Sequence, residues 1–528
     1  MANQEESFWS MTAVASLLLL ILYPSSTQAA NILGFFPFAA YSQSQVFRSL
    51  TTELAGRGHH VTFVTPFPMD SPPPNHEQIH ITDIFKHFTS FNATKVTGII
   101  EVFRKLHGIS SGVCVDVLGR PDIQRLMDPE KSGKKFDLML MSNFFSDCFL
   151  GFAHVYHIPV IQISPGGAMP QTDSLMGNTA LSSFVPISFL PFSDRMSFLE
   201  RMINHLSSMV MSGYLTFIRY SSDEYIIKQY FGDEIPPLRE LQSRISLVIL
   251  NSDFSIHYPR PLPPNIIECI GMHVKAPKPL PQQLQSFMDE AKEGVIYFSM
   301  GSNVKSAEFS AEKRDAILAA FAELKEKVLW KWEGDGPLPG QSSNVKLEKW
   351  VPQSDLLAHP NIKLFITHGG MLSLLEAAYR GVPLIGIPFY GDQKLNMEKA
   401  SHLGVCIKVS YEELTKENLL SAIRKILDDP SYHDNMKELS KRVNDQPIPP
   451  LEKAVYWTEY VLRHKGAKHL TPASVDLYWF QLYQLDVIST IVLTLFFFLF
   501  SFSYVIVNCS KLLKKKKKVK SRPKVKKN

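Results

Sequence analysis

Residues 350–396, WVPQSDLLAHPNIKLFITHGGMLSLLEAAYRGVPLIGIPFYGDQKLN, carry an ordered set of groups suited to one kind of ligand. Trp350 opens a loop after a strand-like run, and an indole there can stack on a planar base. Gln353 offers an amide that can pair with the edge of that base. FITHGG then runs from a strand into two glycines, and MLSLLEAAYR reads as a helix. Glycine lets backbone approach a ligand closely, and a helix N-terminus favours phosphate oxygens. His368 and Gly370 share that corner. Glu376, one to two turns into the helix, can accept hydrogen bonds from a ribose diol. YGDQ follows the next strand at its C-terminal end, where ligands sit in parallel sheets. Asp392 and Gln393 can pair there with several hydroxyls. Together these groups suit a base, a ribose, a diphosphate and a sugar. Each element is weak alone, and the specificity lies in their order.

A second stretch, AAYSQSQVFRSL at 39–50, lies near the start of the mature chain. It follows the apolar run NILGFF and precedes a helix-turn-strand pattern. Strand-to-helix turns of this kind commonly hold catalytic groups. This one presents Tyr41, Ser42, Gln43 and Ser44, none of them a good general base at neutral pH.

The elements that must position these groups read as alternating strands and helices. NILGFF, HVTFVTP, IHITDI, FDLMLMS, PVIQIS and LVILNSD are strand-like in the first half. GVIYFSM, KVLWKWEG, VKLEKW, IKLFITH, VPLIGIP and GVCIKVS form a second series. Helix-like stretches such as SAEKRDAILAAFAELKEK lie between them. Such alternation predicts parallel sheets, and two series predict two doubly wound domains with a ligand cleft between them. The stretch 274–284, VKAPKPLPQQL, reads as a linker. Residues 170–240 are less regular. A helical patch there, RMSFLERMINHLSSMVM, could shape an acceptor pocket, rest on a membrane or pack against the first sheet.

The chain has 528 residues, 45% of them hydrophobic, which is ample for two such cores. Its net charge of +5 is concentrated in one tail: residues 511–528 hold eleven of the 55 Lys and Arg, leaving 44 basic against 50 acidic residues elsewhere. That distribution does not mark a nucleic-acid-binding protein. Residues 13–23, AVASLLLLILY, have the length of a signal-peptide core, and small residues precede a cut after Ala29 or Ala30. Residues 487–507 carry no charge and are long enough for one transmembrane helix. Lysines follow it directly, so the tail is expected in the cytosol and the domains in the lumen. Tyr478, Trp479, Tyr483 and Tyr504 sit near the two ends of the span. Lys524 and Lys526 match a K-x-K-x-x retrieval signal for the endoplasmic reticulum. The five cysteines form neither a metal spacing nor a disulfide scaffold. Asn92-Ala-Thr94 is a glycosylation sequon in the expected lumen.

The 350–396 stretch closely resembles the donor-binding signature of the UDP-glycosyltransferases, in the membrane-bound animal branch of the GT-B glycosyltransferases. RGHHVTFVTP, GVIYFSMGSN, the signal peptide and the membrane span with its Lys-rich tail extend the resemblance over nearly the whole chain. MLSLLEAAYRGVPLIGIPFYGDQ looks most like insect members, whose usual donor is UDP-glucose. The resemblance implies an α/β GT-B fold of two doubly wound Rossmann-like domains and one C-terminal transmembrane helix. It divides the chain into a signal peptide (1–29), an acceptor-binding domain (30–273), a linker (274–284) and a UDP-sugar-binding domain (285–450). A helical return and juxtamembrane segment (451–486), the span (487–507) and the cytosolic tail (508–528) follow.

Carried over by position, Trp350 would stack on uracil, Gln353 would bind its edge and Glu376 would hold the ribose. Ser302, His368, Gly370 and Ser373 would face the diphosphate, and Asp392 and Gln393 the sugar. Family members usually carry a catalytic His in the first turn and an acidic partner ending the strand that begins FDL. Here those positions fall on Gln43 and Ser142. His59, His60 and Asp147 are poor substitutes by position.

The implied reaction is transfer of a hexose, glucose by this resemblance, from UDP-sugar to a small lipophilic acceptor with inversion. It needs no cofactor beyond the co-substrate and no metal. The missing dyad makes transfer to alcohols weak, or shifts it to amines and other acceptors that need no base. The alternative is a catalytically inactive UDP-sugar-binding pseudoenzyme or partner subunit; a luminal binder of lipophiles without donor use is a third reading. A type I endoplasmic reticulum glycoprotein acting in detoxification, free to form homo- or hetero-oligomers with related transferases, completes the expectation.

Overall fold

The computed structural model describes residues 29–88, 99–179 and 181–520. The apolar core of the expected signal peptide, the Asn92 sequon and the Lys524/Lys526 motif lie outside these residues. The chain divides after Thr471 into two units.

The first unit holds two parallel sheets. One contains β1 (Asn31–Phe35), β2 (His60–Thr65), β3 (His76–His80), β4 (Leu138–Ser142), β5 (Val160–Ser164), β6 (Ile245–Leu250) and β7 (Ile266–Glu268) in the order 3-2-1-4-5-6-7. The other contains β8 (Val295–Ser299), β9 (Lys327–Lys331), β10 (Val345–Glu348), β11 (Ile362–Thr367), β12 (Leu384–Gly386) and β13 (Cys406–Lys408) in the order 10-9-8-11-12-13. All pairings are parallel. The central strands are apolar almost throughout because helices cover both faces: every residue of β4, β5, β6 and β8 is buried. Strand order reverses between β1 and β4 and again between β8 and β11. In open parallel sheets a crevice forms at such a reversal, outside the carboxyl ends of the strands.

The helices used below are α1 (Tyr41–Gly56), α2 (Ile99–Leu118), α3 (Phe198–Gly213), α4 (Met371–Arg380), α5 (Gln393–His402), α6 (Pro450–Arg463) and α7 (Leu485–Lys520). After the second sheet, α6 returns to the first. Arg57 donates to Glu452 at 2.8 Å, and His59 lies 3.5 Å from Glu459. In the second unit, Leu485–Lys517 of α7 is long and apolar enough to cross a membrane, with mean hydropathy 2.4.

Three local readings change. The strand expected at IHITDI lies earlier, at His76–His80, because its parallel register against Val61–Thr65 ends there. Thr82–Phe88 instead turns as a 3-10 helix. Helix Gln282–Asp289 begins inside the Pro- and Lys-rich 274–284 stretch, directly after Pro281. Cys114 on α2 bonds to Cys148 in the turn after β4, 34 positions further along the chain. No spacing rule pairs these two cysteines, because only the packing of α2 against the end of β4 brings them together.

That bond ties α2 to the strand end where Ser142 sits. Closing a loop of this length stabilises by about 2–4 kcal/mol. Cys114→Ser should therefore lower the urea midpoint of the purified protein. Reductant should lower the wild type to the same value and leave the variant unchanged.

Candidate active site

The second sheet's reversal point brings together two glycine turns. β8 and β11 are neighbours, with Thr367 opposite Ser299, so the loops that follow them meet. Gly301, at φ 78°, turns the first loop in the left-handed region that only glycine adopts freely. A Cβ on Gly301 would stand 2.5 Å from His368 Cε1, and one on Gly370 would stand 2.5 Å from its Nε2. The imidazole is thus seated between two glycines. Burial, with the Lys331 ammonium nearby, pushes it down to about 4, so the ring is neutral at physiological pH. Lys331 itself donates to Gly301 O at 2.9 Å and to Glu333 at 2.9 Å. Beside this corner the Ser302 hydroxyl oxygen is buried with no hydrogen-bond partner. Gly370 is the N-cap of α4 and supplies no side-chain cap, leaving first-turn amides for an anion.

One turn along α4, Glu376 is held by its neighbours. Gln353 donates from Nε2 to Glu376 Oε2 at 2.7 Å and to Ser373 Oγ at 3.2 Å. Its Oε1 accepts from Tyr297 OH at 3.4 Å. Gln353 is thus committed to Glu376 and Ser373, and toward a base edge it keeps only spare acceptor capacity on its carbonyl. Burial pushes the Glu376 carboxyl up to about 7, although the Gln353 hydrogen bond opposes that. His273 lies 3.9 Å away and is pushed down to about 4 by burial. Neither of its ring nitrogens has a hydrogen-bond partner. Sequence reasoning missed His273, since a lone histidine in a loop carries no pattern.

Past β12, the Gln393 carbonyl accepts from the backbone N–H groups of Phe389 and Tyr390, at 2.8 and 3.2 Å. Its oxygen therefore fixes the turn, and only its amide nitrogen remains for a ligand. Asp392 accepts from Asn396 at 2.9 Å, and Asn396 also donates to Gly369 O at 3.0 Å. Asn396, also missed from sequence, couples the turn bearing Asp392 to the turn bearing Gly370. Burial raises the Asp392 carboxyl above its ordinary range.

Trp350 is 54% exposed, as a stacking platform must be. Tyr41, the first residue of α1, stands perpendicular to it, with 4.8 Å between ring centroids. The same α1 turn carries Gln43. The two halves also approach at Gly166, where a Cβ would stand 3.8 Å from Met371 Cγ. The cleft between the sheets is therefore bordered by both reversal points.

At the first of these, Gln43 lies in the opening turn of α1, after β1. Its side-chain oxygen is buried without a hydrogen-bond partner. Ser142 is the last residue of β4, the strand beside β1, and its hydroxyl accepts from Phe144 N at 3.1 Å. Around this corner Phe38 meets Phe144 and Phe88 edge to face, at 5.3 and 5.0 Å. Phe103, Phe145, Ile187, Met211 and Leu215 form an adjoining apolar cluster.

The three poor substitutes do no better in three dimensions. His59 and His60 lie at the start of β2, the sheet edge opposite the cleft. His59 accepts there from Ala30 N at 3.2 Å. Asp147 is paired with the buried Arg219 at 3.3 Å. The histidine that does border the apolar cluster is His107 on α2. Its Nδ1 lies 2.9 Å from Tyr214 OH, and burial lowers its pKa.

Residues 38–519 match the family described as UDP-glucoronosyl and UDP-glucosyl transferase. The chain is 38% identical to UDP-glucosyltransferase 2 of Dactylopius coccus over 93% of this chain and 95% of that one. It is 31% identical to UDP-glucuronosyltransferase 2B18 of Macaca fascicularis, over 90% and 92%. Its fold is similar to that of the calicheamicin glycosyltransferase CalG4, with a TM-score of 0.56, 19% identity, and coverage of 83% of this chain and 99% of that one. It is also similar to a UDP-glucose: anthocyanidin 3-O-glucosyltransferase in complex with UDP, with a TM-score of 0.56, 15% identity, and coverage of 83% and 100%.

Two outcomes follow from the second sheet's turns. Gly301→Ala and Gly370→Ala should each displace His368 and weaken UDP-sugar binding by about tenfold or more in calorimetry. UDP-glucose affinity should fall as pH drops through about 7, because protonated Glu376 is a poorer acceptor. The fall is at most about tenfold per pH unit. His273 and His368, both near 4, stay neutral over that range. Glu376→Gln should bind weakly and without this pH dependence.

Proposed function

Because the chain belongs to the UDP-glucuronosyl and UDP-glucosyl transferase family, we propose that it transfers glucose from UDP-glucose, with inversion, to small lipophilic acceptors that need no general base. Tertiary amines and ionised thiols or carboxylates are such acceptors. The observation that carries this reading is the contrast between the two reversal points. The second is built around a diphosphate corner and a buried carboxylate. The first holds Gln43 and Ser142, neither of which can take a proton at neutral pH.

In the proposed step the acceptor atom attacks the anomeric carbon opposite the departing UDP. The bond to the β-phosphate oxygen breaks, and UDP leaves with the electron pair. The first-turn amides of α4, the neutral His368 ring and the Ser302 hydroxyl donate to the diphosphate as charge builds. These donors make a metal unnecessary in this reading. The buried Gln43 oxygen can accept a hydrogen bond from a donor elsewhere on the acceptor molecule and so orient it, but it cannot take a proton from an attacking hydroxyl. Trp350 stacks on uracil, Glu376 accepts from the ribose, and Asp392 with the Gln393 amide holds the sugar. The aromatic wall of Phe38, Phe88 and Phe144 supports a lipophilic acceptor.

The chain is proposed to be an endoplasmic reticulum membrane glycoprotein of type I topology, with its domains in the lumen after signal-peptide removal and Asn92 glycosylated. There it would clear lipophilic compounds, alone or assembled with related transferases. The Cys114–Cys148 bond supports an oxidising compartment, and the lysines after α7 support a cytosolic tail.

Turnover of UDP-glucose by the full-length protein with matched amine and phenol acceptors tests this. Wild type should glucosylate the amine. Gln43→His with Ser142→Asp should gain phenol transfer by about 10²–10⁴-fold. No wild-type turnover on any acceptor, with UDP-glucose still bound, would make the protein a binder and overturn the transferase reading.

A further inference from the structure

Helix α3 is built inside out. Asn204 is fully buried and faces the body, where it accepts from Ile187 N at 2.8 Å and donates to Ser182 O and Val185 O at 2.8 and 2.9 Å. Met211 and, beyond the helix, Leu215 share its buried side. The opposite side carries the large apolar residues. Phe198 is 74% exposed, Leu206 53%, Met209 59% and Phe217 77%. At about 100° per residue, Phe198, Leu199, Met202, Leu206, Met209 and Val210 share one arc of about 120°. No charged residue falls within that arc; His205 and Arg201 lie about 20° and 60° beyond one side, and Glu200 lies about 80° beyond the other.

The next turn keeps this division. Tyr214–Arg219 takes π-helical hydrogen bonding, a widening that often marks functional segments. It turns Arg219 inward, 3.2 Å from Asp223, 3.3 Å from Asp147 and 4.4 Å from the Phe145 ring centroid. Phe217 and Ile218 are left outside. The outward stripe is therefore fixed by a buried amide at one end and a buried ion cluster at the other.

We propose that this stripe rests on a lipid bilayer, the membrane that the chain's own C-terminal helix enters. Phe198, Leu206 and Phe217 insert among the headgroups and upper acyl carbons. The proposal rests on reading α7 as a membrane span. Three features favour a bilayer as the occupant. Residues 472–484 join the first unit to α7 and extend at most about 3.5 Å each, so the membrane lies within about 45 Å of Thr471. The stripe has the make-up of an interfacial helix, apolar on one side with an arginine and a histidine at its border. A row of large apolar side chains about half to three-quarters exposed along one side of a helix is uncommon in water. Its placement also has a use: α3 contributes Met211 to the apolar cluster beside the Gln43 corner, so a lipophilic acceptor dissolved in the bilayer would meet the protein close to that cluster.

Full-length protein in phosphatidylcholine vesicles containing a diazirine phospholipid tests this, with photolabelled peptides mapped after irradiation. Label is expected both in α7 and in the peptide spanning 196–219. Leu206→Glu with Met209→Glu should reduce the 196–219 label by about tenfold, with α7 labelling and the thermal midpoint unchanged. Leu206→Phe should retain the label. Label in α7 alone overturns the proposal. Label in neither segment overturns the membrane-span reading and this proposal together.

Discussion

Parallel pairing of β1 with β4 and of β8 with β11 is the constraint on which the rest of the molecule depends. Each pair joins strands far apart in sequence, and at each the direction of chain progression reverses. The loops leaving the two carboxyl ends must then diverge to opposite faces, which opens a crevice that no side chain of the sheet can fill. Gln43 and Ser142 flank one crevice, and Ser302, His368 and Gly370 flank the other. Full burial of β4, β5, β6 and β8 keeps these pairings rigid. Function-bearing loops can therefore be irregular without costing the fold its order.

The second crevice is preorganised through hydrogen bonds made before any ligand contact. Burying Glu376 costs free energy, seen in its raised pKa, and Gln353 offsets part of that cost. Gln353 is thereby withdrawn from open competition for a base, and Ser373 is drawn into the same network. Asn396 plays the matching part for Asp392 and ties its turn to Gly369. The His368 ring needs two glycines to fit, so the glycines serve the histidine whatever ligand the corner takes.

The first crevice has the opposite character. It is walled by phenylalanine, braced by the Cys114–Cys148 bond and supplied with a buried amide oxygen where a base is expected. Arg219 and Asp147 neutralise each other behind the wall rather than serving the cleft. In the proposed reading this corner holds and orients a lipophile without drawing off a proton, and the chemistry is set by what the acceptor brings.

Much of this was legible in order of residues. Strand periodicity named two parallel sheets because buried parallel strands must be continuously apolar. The 350–396 stretch suggested a kind of ligand because backbone chemistry at a strand-glycine-helix turn is local, reading the same whatever surrounds it. The span at 487–507 was legible for the same reason: a run without charge needs no partner to be interpreted. His273, Asn396 and the Cys114–Cys148 pair were not legible, since each acts on a residue remote in sequence. The outward side of α3 was undecided among three readings, because an amphipathic pattern gives the width of an apolar stripe but not its direction. Burial of Asn204 against the body, a contact across the fold, turned that stripe to the outside. Local order dictated which groups exist and which elements carry them; only packing over long sequence separations decided which groups meet, which are spent on each other, and which remain free to act.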